Sequence, residues 1–219
     1  AIDYTKPEGL HAFQQLIDAA DVFINNLPRQ ASLEKYGLSA EACLARNPRL
    51  IHLSITGFGR TGPYADRSGY DVVAQAMSGT MDLTGEEGQP PLRYPVAIAD
   101  ITAGLFGLIS VLGALYARER TGRGQAIDTS LLDSQLTWLS YIAGNYFATG
   151  EKPPKLGSLH PSITPYQPFK TADDKWIIVG VGSEKLWRAY CHLIGAETTL
   201  MIDPRYATNS DRNANRPTL

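Results

Sequence analysis

The chain has 219 residues, 43% of them apolar and 19% charged, which are the proportions of a folded globular protein and too apolar for disorder. Its 20 basic and 22 acidic side chains leave a formal charge of -2 with no basic run, which sets nucleic-acid binding aside. Cys43 and Cys191 lie far apart and outside any paired spacing, so neither a disulfide framework nor a zinc site is suggested. Free thiols in a reducing cytoplasm are expected.

The opening AIDYTKPEGLHAF shows no secretory signal pattern. Pro7 suits the first position of a helix, and Leu10, Phe13, Leu16, Ile17 and Ala20 recur at helical spacing along one face. Asp21 to Asn25 (DVFIN) follows as a short strand of the kind buried on both faces of a parallel sheet. Ser39 is placed to cap a helix through Arg46; Asn47 and Pro48 end it, and Leu50 to Ile55 forms another buried strand. This alternation predicts an α/β domain with an open, mostly parallel, Rossmann-like sheet, in which ligands bind at the carboxyl ends of the strands. The loop after Ile55 lies at such an end, and Gly57, Gly59, Gly62 and Gly69 let its backbone approach a ligand closely. Its GFGRTG lacks the dinucleotide-binding spacing, so a plain tight turn stays open as the alternative.

Tyr70 to Ser78 is expected to be a short helix and Gly79 to Pro95 an irregular loop. Asp100 then stands at the mouth of a long uncharged helix, Ile101 to Arg118. Asp is a favoured N-cap, so its carboxylate is expected to accept the first amides of that helix. A helix start also stabilises negative charge, and an ionised carboxylate can attack an activated acyl group, so the cap is compatible with Asp100 as a candidate nucleophile. Gly104 and Gly107 each cost about 1 kcal/mol inside a helix and point to close packing there, by a ligand or by another helix. The uncharged run Ile101 to Ala117 falls short of a membrane span, which favours a buried core helix.

Thr121 to Gly124 ends the helix, Gln125 to Thr129 is a short strand, and Ser130 with Asp133 resembles a capping box for a helix reaching Phe147. The composition then changes to a proline-rich stretch, which predicts a large domain over 1–150, a linker over 151–168 and the start of a smaller α+β domain over 169–219. In that last part Tyr166 to Lys170 and Trp176 to Val181 flank the turn TADDK as a hairpin. Ser183 caps a helix through Ile194, closed by Gly195, and the tail from Asp203 is polar and turn-rich.

His11, His52, His160 and His192 occupy separate contexts without metal-ligand spacing, so no metal site is expected. No nucleophile elbow or Walker loop occurs either.

Four segments together resemble the family III CoA-transferases, the CaiB/BaiF group that includes formyl-CoA transferase and carnitine CoA-transferase. They are NPRLIHLSITGFGRTGPYADRSGYDVVAQAMSG, PPLRYPVAIADITAGLFGLISVLGALYARERTGRGQAIDTSLLD, GSLHPSITPYQPFKTADD and DPRYATNSDRNANR. The resemblance implies an enzyme that moves coenzyme A, bound as acyl-CoA, from a donor to a carboxylic acid acceptor through a covalent aspartyl intermediate. By the DxxxG motif, here DITAG, the nucleophile is Asp100. Thr56, Gly57 and Phe58 fall on the loop that contacts CoA in the family. Asn26 and Lys35 fall near its second CoA-contacting segment, although INNLPRQASLEKYG lacks the usual Pro-Gly and is one residue longer. Tyr70, and His160 or Tyr166, are candidates to face the acyl group.

The family's 2-methylacyl-CoA racemases carry His where this chain has Tyr70 before Asp71, so racemisation is the alternative and lacks one proton-transfer partner. A non-catalytic CoA-binding or dimerisation module, with Asp100 only a helix cap, is a further alternative. The glycine-run loop of formyl-CoA transferase is replaced by GSLHPSITPY, which disfavours formate and oxalate as substrates. Members of the family are longer and form interlocked homodimers, so the chain is expected to be a piece of such a protein and to pair with a second copy.

Overall fold

A computed structural model describes residues 1–219. The chain forms two compact units, one of Ala1–Thr84 with Pro91–Pro153, the other of Gly85–Pro90 with Pro154–Leu219.

The first unit runs α1 (Pro7–Ala19), β1 (Val22–Asn25), α2 (Gln30–Lys35), α3 (Ala40–Arg46), β2 (Ile51–Thr56), α4 (Asp71–Met77) and α5 (Thr80–Leu83). It continues through α6 (Ile98–Thr121), β3 (Gln125–Ser130), α7 (Leu131–Leu136), a 3-10 turn over Thr137–Leu139, and α8 (Ser140–Thr149). The three strands pair in parallel in the order β1-β2-β3, with Val22 opposite Ile51 and Ile51 opposite Gln125. Crossovers of helix between parallel neighbours are what this geometry demands. The α/β class and the parallel sheet expected from the alternation are therefore present.

β2 is the central strand, and its residues alternate between the two faces, as a pleated strand requires. Ile51 and Leu53 pack with Val111 and Ala114 of α6, whereas the His52 ring meets Phe23 and its Nε2 lies 3.2 Å from the Leu38 carbonyl. On the α1–α3 side, Ile17, Leu33, Leu38, Cys43 and Leu50 form a separate cluster. β1 differs from expectation: it is an edge strand, and Ile24 is 59% exposed.

α6 is also not the fully buried core helix expected. Ala99, Ala103, Gly107, Val111 and Ala114 face inward, while Ile101, Leu105, Leu108, Ile109, Leu112 and Tyr116 stay exposed on the far side. By length and composition alone this helix could cross a membrane, but its inner face packs on the sheet. Gly107 permits that packing, since a Cβ there would meet Leu53 at 3.0 Å; Gly104 faces open space. At the carboxyl end Gly122 adopts φ 72 as a left-handed cap. Just before it, Arg118 is buried: Nη1 donates to the carbonyls of Arg49 (3.0 Å) and Asp21 (3.4 Å), and Nη2 pairs with the Asp21 carboxylate at 2.8 Å.

Two other expectations change. The helix expected from Ser130 to Phe147 is broken at Ser140, whose φ of 44 lies outside the helical region, so α7 and α8 are separate. The expected irregular loop over 79–95 contains α5.

The second unit holds the antiparallel hairpin β4 (Tyr166–Lys170) and β5 (Trp176–Gly180), then α9 (Glu184–Leu193) and α10 (Asn209–Ala214). Its tail is more ordered than its polarity suggests, because Thr208 and Asp211 form a capping box at α10. Arg212, fully buried, forks onto Glu184 at 2.8 and 3.0 Å, donates to the carbonyls of Thr164 and Tyr206, and lies 4.7 Å from the Trp187 ring. Trp187, Cys191 and Tyr206 are the buried centre of this unit.

Candidate active site

The carboxyl ends of β1 and β2 and the start of α6 enclose a cleft of about 530 Å³, lined by Asn26, Pro28, Ile55, Thr56, Gly57, Ser68, Gly69, Tyr70, Asp71, Asp100 and Leu131. That volume is in the range of small-ligand clefts, and the location is where an open parallel sheet accepts a ligand. The alanines Ala74, Ala99 and Ala103, with Ile55 and Leu131, let the starts of α4, α6 and α7 gather beside the end of β2.

The loop after β2 is held by its own backbone. Thr56 Oγ1 accepts from the Gly59 amide at 3.0 Å, the Gly57 carbonyl accepts from the Leu132 amide at 3.1 Å, and the Arg60 amide donates to Asp128 at 2.6 Å. Gly57 and Gly69 touch backbone to backbone: a Cβ on either would lie 2.5 or 2.6 Å from the other's Cα. Arg60 reaches from this loop to the segment after β1. Its Nη2 donates to Asn25 Oδ1 (3.1 Å) and the Leu27 carbonyl (2.7 Å), and its Nη1 to the Pro28 carbonyl (3.4 Å). Asn25 in turn donates to the Leu53 carbonyl and to Ser54. Arg60 thus fixes the stretch that carries Asn26, and partial burial pushes its guanidinium down from its usual value while Asp128 opposes the shift.

Asp100 is not the N-cap expected of it. α6 begins three residues earlier than Ile101, at Ile98, behind a capping position occupied by Ala97, which offers no side-chain acceptor. Asp100 is therefore the third residue of the helix, exposed at the cleft, and its carboxylate accepts no hydrogen bond. The cap comes from elsewhere in the chain: Asp71 Oδ1 accepts from the Ala99 amide at 2.8 Å. Although its side chain reaches solvent, the cleft walls strip part of the water from the Asp100 carboxyl, and this, then the neighbouring Asp71 charge, push it up from the ordinary aspartate value. This opposes the stabilisation of charge anticipated from the helix start alone.

Of the residues singled out from sequence, Asn26, Thr56, Gly57, Gly69, Tyr70 and Asp100 line this one cleft. Tyr70 is 74% exposed. Phe58 turns away to stack edge-on with Tyr64, with 5.4 Å between ring centres. Lys35 is exposed at the end of α2, its Nζ 5.1 Å from the Tyr36 ring. His160 belongs to the second unit, where its Nδ1 accepts from the Ser162 amide and its ring lies 5.1 Å from that of Tyr166. Asp71 and Arg60 were missed; the one visible signal was the Tyr70-Asp71 pair opening a helix. No three acidic, histidine or cysteine side chains converge as a metal site.

A carboxylate near a helix start, a glycine loop and the end of a parallel sheet thus meet at one cleft. The family model of CoA-transferase family III matches residues 1–219, and the chain belongs to that family. Among curated proteins it is 43% identical to the succinate–glutarate CoA-transferase of Agrobacterium fabrum, over 98% of this chain and 53% of that one. It is 40% identical to the acetyl-CoA:oxalate CoA-transferase of Acetobacter aceti, over 98% of this chain and 55% of that one. Among solved structures a CaiB/BaiF family protein from Brucella suis superposes with a TM-score of 0.83 at 44% identity, over 99% of this chain and 57% of its own. The chain spans about half the length of the curated relatives it matches.

Proposed function

We propose that the protein carrying this chain is a CoA-transferase in which Asp100 is the nucleophile. The observation that carries this reading is the free Asp100 carboxylate on a cleft walled by the glycine loop, with Asn26, Thr56, Gly57 and Tyr70 around it. A carboxylate committed to a cap would have to break its hydrogen bonds to the protein before attacking, and no protein donor holds this one. Its raised basicity favours nucleophilic attack once it is ionised.

In the proposed cycle an Asp100 oxygen attacks the thioester carbonyl of the acyl-CoA donor and CoA leaves as its thiolate, giving a mixed anhydride. The thiolate then attacks the aspartyl carbonyl of that anhydride, releasing the donor acid as its carboxylate and leaving an aspartyl-CoA thioester. The acceptor carboxylate attacks this thioester and expels the thiolate again. Attack of the thiolate on the acceptor's carbonyl completes the transfer and frees Asp100. Each tetrahedral adduct carries an oxyanion, and backbone amides of the glycine loop are candidate donors to it.

The relatives' names include succinate, glutarate and oxalate, so short dicarboxylic acids are the proposed substrate class, and oxalate stays in it although the glycine-run loop is absent. We further propose a homodimer that covers the exposed apolar face of α6, and a reducing, cytoplasmic setting consistent with two buried free cysteines.

The test is to incubate the full-length protein with succinyl-CoA and trap with borohydride or hydroxylamine. A label is expected on Asp100, and it is expected to vanish, together with transfer to glutarate, in a folded Asp100→Ala variant. Transfer that persists in Asp100→Ala would rule this mechanism out.

A further inference from the structure

The first turn of α6 has an unusual source for its cap. A helix start leaves amides without partners, and here the capping position is Ala97, so no local side chain can satisfy them. Asp71, at the start of α4, supplies the acceptor from 28 residues away, through Oδ1 to the Ala99 amide at 2.8 Å. Its other oxygen, Oδ2, accepts from Gln75 Nε2 at 2.7 Å. Gln75 is 1% exposed, and its Oε1 accepts from the Tyr94 amide at 2.8 Å. The chain Ala99–Asp71–Gln75–Tyr94 therefore joins the start of α4, the approach to α6 and the first turn of α6.

Ala99 is the neighbour of Asp100, so whatever fixes the Ala99 amide fixes the backbone that presents the Asp100 carboxylate. A second negative charge beside Asp100 is electrostatically unfavourable, and a neutral cap would avoid it. What a carboxylate provides is two acceptor oxygens, which meet two donors at once; an amide in the same place offers only one acceptor.

We propose that Asp71 is a positioning residue for Asp100, a cap supplied across the cleft that holds the nucleophile's turn in register. This inference rests on the CoA-transfer reading above. It predicts a defect in the chemical step rather than in CoA binding, because the group acts on the nucleophile's backbone.

The experiment compares Asp71→Ala and Asp71→Asn in the full-length protein, with succinyl-CoA as donor and glutarate as acceptor, and circular dichroism to verify folding. Asp71→Ala is expected to lower kcat on the order of 10²-fold, the effect of a misplacement of about 1 Å, with KM for succinyl-CoA within about twofold of wild type. Asp71→Asn keeps an oxygen for the Ala99 amide and is expected to recover at least about tenfold of that loss. An unchanged kcat in Asp71→Ala, a rise in KM alone, or an Asp71→Asn variant no better than Asp71→Ala each overturns the inference. If Asp71→Ala does not fold, Asp71→Asn decides alone: kcat within about tenfold of wild type supports the cap, and a larger loss rejects it. A wild-type protein that neither transfers CoA nor labels at Asp100 instead refutes the CoA-transfer reading, so the two failures are distinct.

Discussion

The tightest constraint on the cleft is the contact between Gly57 and Gly69. In Gly57→Ala the new Cβ would sit 2.5 Å from Gly69 Cα and 2.7 Å from its amide nitrogen, against the 3.5–4.0 Å at which carbon atoms normally rest. The obstruction is backbone, so no side chain can swing aside, and the two segments must part by about 1 Å. Overpacking of this kind costs about 1–3 kcal/mol, and here it also strains the bond from Leu132 to the Gly57 carbonyl. Because both glycines line the cleft, the same movement shifts Tyr70 and Asp71, and kcat is expected to fall with stability. Gly69→Ala meets the same wall from the other side, at 2.6 Å from Gly57 Cα. Once either substitution has opened the loop, the second has less to displace, so the double variant should cost less than the sum by about 0.5–3 kcal/mol. Gly62→Ala is the control: its φ of 88 disfavours a side chain, but a Cβ there touches nothing within 4 Å, so about 1–2 kcal/mol from backbone strain alone is expected. Urea unfolding of the four variants measures all of this. A Gly57→Ala variant within about 0.5 kcal/mol of wild type, or strict additivity in the double variant, would refute the close-contact reasoning.

Along α6, Gly104→Ala meets open space and is expected to stabilise by about 1 kcal/mol, whereas Gly107→Ala crowds Leu53 at 3.0 Å and should forfeit that gain; urea midpoints compare them. In the second unit, Arg212→Met strips Glu184 of its fork and leaves the Thr164 and Tyr206 carbonyls short of a donor, a loss of about 3 kcal/mol by denaturant titration. Hydrogen bonds from Arg212 hold Glu184 below the usual glutamate value, so the contribution is present above the unfolded pKa and lost as pH falls through the folded one. The stability gap between wild type and Arg212→Met should thus narrow at acid pH, leaving the part that comes from the Thr164 and Tyr206 carbonyls. For Asp100 the sign is reversed: its folded pKa is raised, so ionisation weakens the fold as pH rises through that value. Asp100→Asn should be more stable than wild type at neutral pH and lose that advantage below both pKa values. In kinetics the acid limb of kcat/KM should lie above the ordinary aspartate range, and Asp71→Asn should move it down by removing the adjacent charge.

Local chemistry was legible in the sequence and long-range chemistry was not. Pro7, Ser39 and Ser183 sit where helices α1, α3 and α9 begin, because a cap or a first-turn proline acts within three residues. The apolar run of β2 announced a buried strand, because burial on both faces leaves a continuous apolar stretch; its central position came only from the sheet order. Asp100 looked like a cap because Asp before an uncharged run is the usual signature, but the actual acceptor, Asp71, approaches from another helix. Likewise Arg60 lies on the glycine loop, and only the folded sheet carries it to the Asn25–Pro28 segment. The exposed side of α6 and the edge position of β1 depend on which neighbours are present, which periodicity cannot report. The Thr208–Asp211 capping box, in contrast, was a local signal in a tail whose polarity concealed it.

The anchoring of α6 at its far end has a mechanical consequence. Asp100 and Arg118 are separated by about 27 Å of helix at a rise of 1.5 Å per residue, and Arg118 is tied to the carbonyls of Asp21 and Arg49 beside strands β1 and β2. Arg118 is thus the far hold on a helix that is also fixed at Val111 and Ala114 on the sheet and at Ala99 by Asp71. By trigonometry a tilt of about 2° about Arg118, were the other holds to yield, would sweep the other end through roughly 1 Å, a displacement large enough to slow chemistry about a hundredfold. The reach of the cleft's geometry therefore extends the full length of α6, to a residue that no ligand in the cleft could touch.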